Sequence, residues 1–270
     1  MAQAFDRAPI ARLDSDDAAA LDRKIEAARR DAWLKPHQRI EILRKLAVLM
    51  ESKREHLGNQ IAREGGSRSA TCWSKPTVPT TACVMRRRAG VMAGREIPMG
   101  SDAGEHGSAC LHDRRSDRRG RAISAFNHPF NLIVHQAVPA VATGCPVIVK
   151  PANPTPLSCL EFVHLLHETG LPPDWCQVFL PETNKLAEAL ATDPRIAFLS
   201  FIGSSRVGWH LRSKLPRGTR CALEHGGAAP AIIDRSADLA RIIEPLTKGW
   251  LLSCRTGVRV RSADLCPCGS

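Results

Sequence analysis

The chain has 270 residues, enough for one large domain or two small ones with a buried core, and its formal net charge is +11. No apolar run reaches the roughly 18 to 20 residues of a membrane helix, and the amino terminus lacks a secretory-signal pattern, so we expect a cytoplasmic protein with no membrane partner. Ten cysteines without a CxxC pair lead us to expect no metal site.

The first 66 residues are predicted to form a helical segment. Asp14–Asp17 offer N-cap oxygens before an alanine-rich run that ends near Trp33. Pro36 then opens a second helix, in which apolar residues recur every three or four positions. These apolar residues are Ile40, Leu43, Leu46, Ala47, Met50, Leu57 and Ile61. The pattern predicts a helix pair that covers a sheet.

The basic charge is concentrated in two stretches without hydrophobic periodicity. Residues 67–121 hold eleven Lys and Arg against five Asp and Glu, and residues 251–270 hold three Arg against one Asp. Since little of this charge can be buried cheaply, we predict that residues 67–122 form an irregular, poorly ordered connection. Basic arms can hold nucleic acid through phosphates, but no tyrosine is present and no recognition motif occurs, so this alternative is disfavoured.

From residue 123 onward, short β-branched runs alternate with longer amphipathic ones. The predicted strands are Ala122–Phe126, Pro146–Val149, Gln177–Leu180, Ile196–Phe201, Arg220–Glu224 and Ala231–Ile233. The predicted helices are Leu132–Ala142, Pro154–Thr169, Asn184–Thr192 and one that follows Gly203–Gly208 and runs to about Leu215. Residues 123–249 are therefore predicted to form an α/β domain, a parallel sheet with helices on both faces, whose ligands bind outside the carboxyl ends of the strands.

Polar side chains follow two of the predicted strands. In SAFNHPFN, which starts at Ser124, the amide of Asn127 can donate a hydrogen bond to an oxyanion; the alternative is a turn asparagine bonded to its own backbone. In VIVKPANPTP, which starts at Val147, the ammonium of Lys150 suits a ribose hydroxyl or a phosphate. Its alternative is a solvated lysine at a strand end, and both alternatives stay open on these residues alone.

Glycine-containing motifs follow two further strands. In FLSFIGSSRVG, which starts at Phe198, Gly203 and Ser204 free backbone N–H groups at a helix amino terminus, which favours an anion. In LEHGG, which starts at Leu223, the two glycines allow unusual dihedral angles, so Glu224 can face a cleft as a general base. Taken alone, a glutamate such as Glu224 is more often a surface acid.

Together and in this order, the four motifs resemble the aldehyde dehydrogenase superfamily, strongly over residues 123–250 and less over 15–66. The resemblance implies NAD or NADP as cofactor and an aldehyde as substrate. It implies that Asn127 helps hold the developing oxyanion and that Phe126, before it, lines the cofactor site. It implies that Lys150 contacts the adenosine ribose. Asn153 stands where glutamate accompanies strong NAD preference, and it would not repel a 2′-phosphate.

The resemblance also assigns roles to the two glycine motifs. Gly203 and Ser204 would face the pyrophosphate, with Gly208 closing the turn. Glu224 would be the general base for deacylation, followed by Gly226, and His225 replaces the usual leucine. The implied oxidation proceeds through a cysteine thioester that water then hydrolyses. The resemblance also implies a homo-oligomer, which we do not expect of this chain.

The nucleophile expected about three dozen residues after Glu224 is absent. Position 258 is valine, and Cys254 lies in a sequence unlike the expected small-residue loop. With allowed codons, residues 250–258 read in the next frame give a family-like loop ending in cysteine at 258. We therefore predict that residues 67–88, 101–121 and 250–270 are frame-shifted, that 250–270 form an aberrant tail, and that the catalytic domain is missing.

Two functional interpretations follow. The first is an NAD(P)-dependent oxidation of an aldehyde to a carboxylic acid, impaired here by loss of the nucleophile. The second is an inactive fragment that binds only nucleotide or a full-length partner. A dinucleotide titration separates both from the nucleic-acid alternative.

Overall fold

The computed structural model describes residues 1–3, 6–29, 34–65, 94–98, 109–113, 120–226, 233–234 and 236–253. Its helices are α1 (Ala18–Ala27), α2 (Pro36–Ser52), α3 (Arg54–Gly65), α4 (Pro129–Thr143), α5 (Leu157–Glu168), α6 (Asn184–Thr192), α7 (Ser205–Ser213) and α8 (Leu239–Ser253). Its strands are β1 (Gly94–Pro98), β2 (Ala109–Asp113), β3 (Gly120–Ile123), β4 (Val147–Lys150), β5 (Cys176–Val178), β6 (Phe198–Gly203) and β7 (Arg220–His225).

Five strands form one parallel sheet in the order β5-β4-β3-β6-β7. The chain builds outward from β3 to one edge through β4 and β5, and then returns to the other side of β3 with β6 and β7. The direction of winding therefore reverses between β3 and β6, which is the switch point at which ligand crevices open in sheets of this type. The predicted α/β class is confirmed.

Helices cover both faces of the sheet because buried side chains alternate along its strands. The first face carries α2, α3, α4 and α5, which pack with Ala122, Val147 and Val149 in one large core. The second face carries α1 and α6, which pack around Ile148 and Phe179, and α7, which packs against Leu199 and Phe201.

The amino-terminal segment contains three helices, so it is divided differently from the prediction. The side chain of Asp17 caps α1 by accepting a hydrogen bond from the N–H of Ala20 at 2.7 Å. The second predicted helix is two helices, because Lys53 (φ −97°, ψ 15°) interrupts the helical backbone between α2 and α3. The apolar stripe continues across this break, since Leu57 and Ile61 of α3 share the core of the first face with Leu43 and Leu46.

Residues 67–122 are not wholly irregular, so this prediction is wrong for the described part of the segment. Strands β1 and β2 pair in an antiparallel hairpin, with Gly94 opposite Asp113 and Pro98 opposite Ala109. Strand β3 begins at Gly120, two residues before the predicted start, because backbone pairing with both β4 and β6 extends to that residue. This earlier start buries Arg121, one of the basic residues that were expected to stay exposed.

Other boundaries shift by a few residues. Strand β3 ends at Ile123 rather than Phe126, whereas α6 has the predicted bounds. Helix α5 ends as predicted, because Gly170 (φ 96°) takes the left-handed backbone after it. Of the strand predicted at Ala231–Ile233, only Ile233 is described, and it lies in no regular element. Helix α8 extends to Ser253 inside the predicted tail, whose other residues, with Cys254, lie outside the described ranges.

Candidate functional site

The four predicted motifs meet at the carboxyl edge of the parallel sheet. The register pairs Ile123, the last residue of β3, with Lys150 on one side and with Phe201 on the other. Phe201 in turn pairs with Leu223, and Ile202 pairs with Glu224. Strands β4 and β3 therefore end level with each other, whereas β6 and β7 end two residues further on, at Gly203 and His225. The predicted site residues lie at or near these strand ends around the switch point.

Asn127 lies beyond the end of β3, in the bend formed by residues 126–128. It is half-buried, while the side chain of Phe126 is 44% exposed. Strand β3 ends at Ile123, three residues before the predicted end at Phe126, so Asn127 does not directly follow the strand. Helix α4 begins two residues later at Pro129, whose fixed φ suits the first turn. Asn127 is thus held between a strand and a helix at the crevice.

Lys150 is the last residue of β4 and turns back toward the loop that follows. Its Nζ donates a hydrogen bond to Oδ1 of Asn153 at 2.8 Å. Burial lowers the pKa of Lys150 from its ordinary value, because removal from water disfavours the ammonium. Asn153 itself is exposed and brings no charge. An anionic or polyhydroxyl ligand at this position therefore meets one cation and one neutral amide.

Gly203 and Ser204 connect β6 to α7. Oγ of Ser204 caps the helix by accepting from the N–H of Val207 at 3.4 Å, as an N-cap side chain does. A Cβ on Gly203 would lie 2.7 Å from Cζ of Phe201, so this strand end requires glycine. The first-turn N–H groups of a helix have no acceptor within the helix, and here they lie at the carboxyl edge of the sheet.

Gly208 does not close the turn, as was predicted, but lies inside α7. Glycine is required there because the imidazole of His225 fills the space above it: a Cβ on Gly208 would run into Nε2 of His225 and lie 3.1 Å from Cδ1 of Phe201. The ring of His225 also lies 5.7 Å from that of Trp209 and 6.3 Å from that of Phe201, between centroids. His225 thus packs on the second face, against α7.

Glu224 is exposed and lies on the first face of β7. Its neighbours Leu223 and Cys221 pack in the core of the second face, so the alternation of the strand turns Glu224 the other way. Gly226, which follows the strand, does not have a positive φ, and a Cβ there would meet nothing within 4 Å. Gly227 lies outside the described residues.

One polar residue at the crevice was missed by the sequence analysis. Gln136, in the middle of α4, points its amide at the end of β3 and at Ser200, in the middle of β6. Nothing in its local sequence distinguishes it from a surface glutamine, and only the pairing of distant strands reveals its place. Among the residues that the structure describes, no group of His, Cys, Asp or Glu has the arrangement of a metal site, and no helix is long and apolar enough to span a bilayer.

The fold defines a doubly wound α/β protein, and the predicted site residues lie around the switch point of its sheet. The chain belongs to the aldehyde dehydrogenase family, whose model matches residues 2–254. The 3-sulfolactaldehyde dehydrogenase of Priestia aryabhattai is 32% identical over 208 residues, which make up 76% of this chain and 43% of that relative.

Solved structures of the family superpose on the chain. Aldehyde dehydrogenase 21 from Physcomitrella patens, in complex with the reaction product succinate, has a TM-score of 0.82 and 26% identity, covering 92% of this chain and 52% of its own. The NADP-dependent glyceraldehyde-3-phosphate dehydrogenase from Bacillus halodurans, complexed with NADP, has a TM-score of 0.83 and 25% identity, covering 92% and 53%. The chain spans about half the length of these relatives.

Proposed function

We propose that this chain is the dinucleotide-binding half of an aldehyde dehydrogenase and that it binds NAD or NADP outside the carboxyl ends of β3 and β6. The observation that supports the proposal is the parallel register of β4, β3, β6 and β7, whose carboxyl ends lie at one edge of the sheet, with Lys150, Ser204, Asn127 and Glu224 at or near those ends. The solved Bacillus halodurans relative, complexed with NADP, supports the same ligand class.

The residues present fit a dinucleotide. The ammonium of Lys150 supplies a hydrogen-bond donor and a charge for a ribose or its 2′-phosphate, and the neutral side chain of Asn153 does not repel that phosphate. The amino terminus of the nine-residue helix α7 offers N–H groups to a pyrophosphate. Phe126 is exposed beside this edge and supplies apolar surface.

The proposed chemistry is the oxidation of an aldehyde, for which the bound cofactor supplies the hydride acceptor. Asn127 donates its amide N–H to the oxygen of the substrate as negative charge develops there. Glu224 takes a proton from the hydrolytic water. Turnover also needs a thiolate, and position 258 is valine where the resemblance expects cysteine, so we propose that oxidation by this chain is weak or absent while dinucleotide binding persists.

A dinucleotide titration with Lys150→Met tests this proposal. We expect both NAD and NADP to bind with saturable calorimetric or fluorescence signals, and we expect Lys150→Met to weaken NADP about tenfold, which corresponds to about 1.4 kcal/mol. Lys185→Met, which removes an exposed lysine of α6, is the matched control and leaves the affinity unchanged. Failure of the wild-type chain to bind either dinucleotide would overturn the proposed function.

A further inference from the structure

We propose that Gln136 and Ser124 together hold one buried water molecule on the first face of the sheet, and that Gln136 positions the two strands that form the crevice. The second half of the proposal rests on the dinucleotide binding proposed above. The first half depends only on the geometry of buried polar atoms.

Gln136 joins the strands on both sides of the switch point through one amide group. Its Nε2 donates to the carbonyl of Ile123, at the end of β3, at 3.2 Å. The same nitrogen donates to the carbonyl and the hydroxyl of Ser200 in β6, at 3.2 and 3.0 Å. An amide nitrogen has only two hydrogens, so its donors are fully used. These hydrogen bonds of Gln136 therefore connect both β3 and β6 to α4 at the switch point of the sheet.

Two polar atoms beside this amide are buried without a partner. Oε1 of Gln136, a residue that is 8% exposed, accepts no hydrogen bond, and Oγ of Ser124, a residue that is 5% exposed, has none either. Ser124 directly follows the carbonyl of Ile123 that Gln136 binds, so both residues meet at the same peptide group. The two orphaned atoms therefore belong to side chains that flank this peptide.

A water molecule satisfies both atoms at once. Leaving a buried polar atom without a hydrogen bond costs about 1–3 kcal/mol. Buried waters typically occupy such sites and make two to four hydrogen bonds to polar groups. A water here donates to Oε1 of Gln136, which is an acceptor only, and exchanges a hydrogen bond with the hydroxyl of Ser124, which can donate or accept.

The water site lies on the same face of the sheet as Glu224. Ser200 and Ile202 alternate with Leu199 and Phe201, which pack on the second face, so Ser200 and Ile202 face the first. The register pairs Ile202 with Glu224. Gln136 therefore contacts β6, the strand that pairs with β7, and β7 carries the carboxylate of Glu224.

A high-resolution crystal structure of the chain tests the water directly. We expect one ordered water within hydrogen-bonding distance of both Oγ of Ser124 and Oε1 of Gln136. A direct hydrogen bond between the two side chains, or a dry site between them, would overturn the proposal.

A double-mutant cycle tests the shared water in solution. Ser124→Ala and Gln136→Met each remove one partner of the water, so the combined loss of stability should be clearly smaller than the sum of the single losses. Ser158→Ala is the control, since its Oγ is also buried without a partner but lies at the start of α5 beside Glu64. Ser158→Ala combined with Gln136→Met should be additive, and an additive cycle for Ser124 would contradict the shared water.

Dinucleotide affinity tests the positioning role separately. We expect Gln136→Met to raise the Kd for the dinucleotide at least about fivefold, whereas Ser158→Ala leaves Kd unchanged. An unchanged Kd in Gln136→Met overturns the positioning role. If the wild-type chain binds no dinucleotide, the proposed function fails instead, and the water site is still decided by the crystal structure and the cycle. Should Gln136→Met fail to fold, Ser124→Ala alone carries the affinity test through the same water.

Discussion

Arg121 is a cation in β3, the central strand of the sheet. It is fully buried, and its Nη1 donates to the carbonyls of Asp193 and Ile196 at 3.3 and 3.5 Å, while Nε and Nη2 have no partner. Burial lowers the pKa of Arg121 to about 10. The two long hydrogen bonds do not replace the hydration that the guanidinium loses, so Arg121 destabilises the fold.

Replacement of Arg121 by methionine should therefore stabilise the protein. Methionine fills a similar volume without a charge, and exchanges of buried charges for apolar residues stabilise by up to about 1–4 kcal/mol. We expect Arg121→Met to raise the free energy of unfolding by about 1–3 kcal/mol, measured by urea denaturation at pH 7.

Arg195 is the control for this substitution because its partners are carboxylates. It forms ion pairs with Asp193, Asp22 and Glu26 at 2.6 to 2.9 Å, and hydrogen bonds with Asp193 and Asp22 raise its pKa. Arg195→Met should lower stability, so the two arginine substitutions should have opposite signs. A loss of stability in Arg121→Met would show that its two carbonyl contacts outweigh the cost of burial.

At the scale of secondary-structure elements, α7 packs against β7 through a close contact between Gly208 and His225. The imidazole of His225 occupies the place that a Cβ on Gly208 would take. We expect Gly208→Ala to lower the free energy of unfolding by about 1–3 kcal/mol, because overpacking forces the helix or the imidazole to move. Thermal melting measures the loss, and Gly208→Ala with His225→Ala should recover most of it.

Gly226→Ala provides the comparison for that pair, since a Cβ there meets nothing within 4 Å. It should change stability by less than about 0.5 kcal/mol. If Gly208→Ala were as harmless as Gly226→Ala, the packing of His225 against α7 would not be a requirement of this helix.

The sequence predicted most of these elements but not the contacts between distant ones. Alternating β-branched and amphipathic runs located β3 to β7 and α4 to α7, because short buried strands and crossover helices have different periods. Lys53 ends α2 without proline or glycine, so the local sequence gave no sign of the break. The hairpin of β1 and β2 and the amide of Gln136 depend on pairing between residues far apart in sequence, which periodicity does not report.

The sequence predicted where the candidate site residues lie but not how their side chains are oriented. The rule that ligands bind at the carboxyl ends of parallel strands brought Asn127, Lys150, Ser204 and Glu224 to one edge. It did not give the direction of each side chain, and so it missed the opposite orientation of Glu224 and His225 on the two faces of β7. The roles assigned to these residues by resemblance stay predictions.

At the scale of the whole molecule, the amino-terminal helices and the α/β domain share one core. Helices α2 and α3 contribute Leu43, Leu46 and Leu57 to the same cluster as α4 and α5. Glu64 of α3, which is buried, caps α5 by accepting from the N–H groups of Leu157 and Ser158 at 2.8 and 2.9 Å. The predicted boundary at residue 66 therefore does not separate two cores, and we expect one cooperative unfolding transition.

The pH dependence of the free energy of unfolding should reflect the contact of Glu64 in α3 with the start of α5. Burial raises the pKa of Glu64 in the folded state, against the opposing effect of its hydrogen bonds. A carboxyl with a raised folded pKa contributes most stability below its ordinary pKa, and that contribution is lost as pH rises through the folded pKa. Urea denaturation should therefore show that the free energy of unfolding of the wild type, relative to that of Glu64→Gln, falls as pH rises from about 4 to 7.

Glu168→Gln is the matched control, because Glu168 is a partly exposed carboxylate near the end of α5 that pairs with Lys53. It should not reproduce the downward trend. A wild-type stability that rises over this range relative to Glu64→Gln would show that the two N–H contacts dominate over burial.

The central place of β3 has a consequence for synthesis on the ribosome. Both hydrogen-bonding partners of β3 lie downstream, at residues 147–150 and 198–203, so this strand has no neighbour in the sheet when it leaves the exit tunnel. Until the second partner arrives, one edge of β3 has no backbone partner in the sheet. Parallel sheets close slowly because their pairings are distant in sequence. Nascent chains halted between residues 123 and 198 should therefore be the species that chaperones hold most strongly.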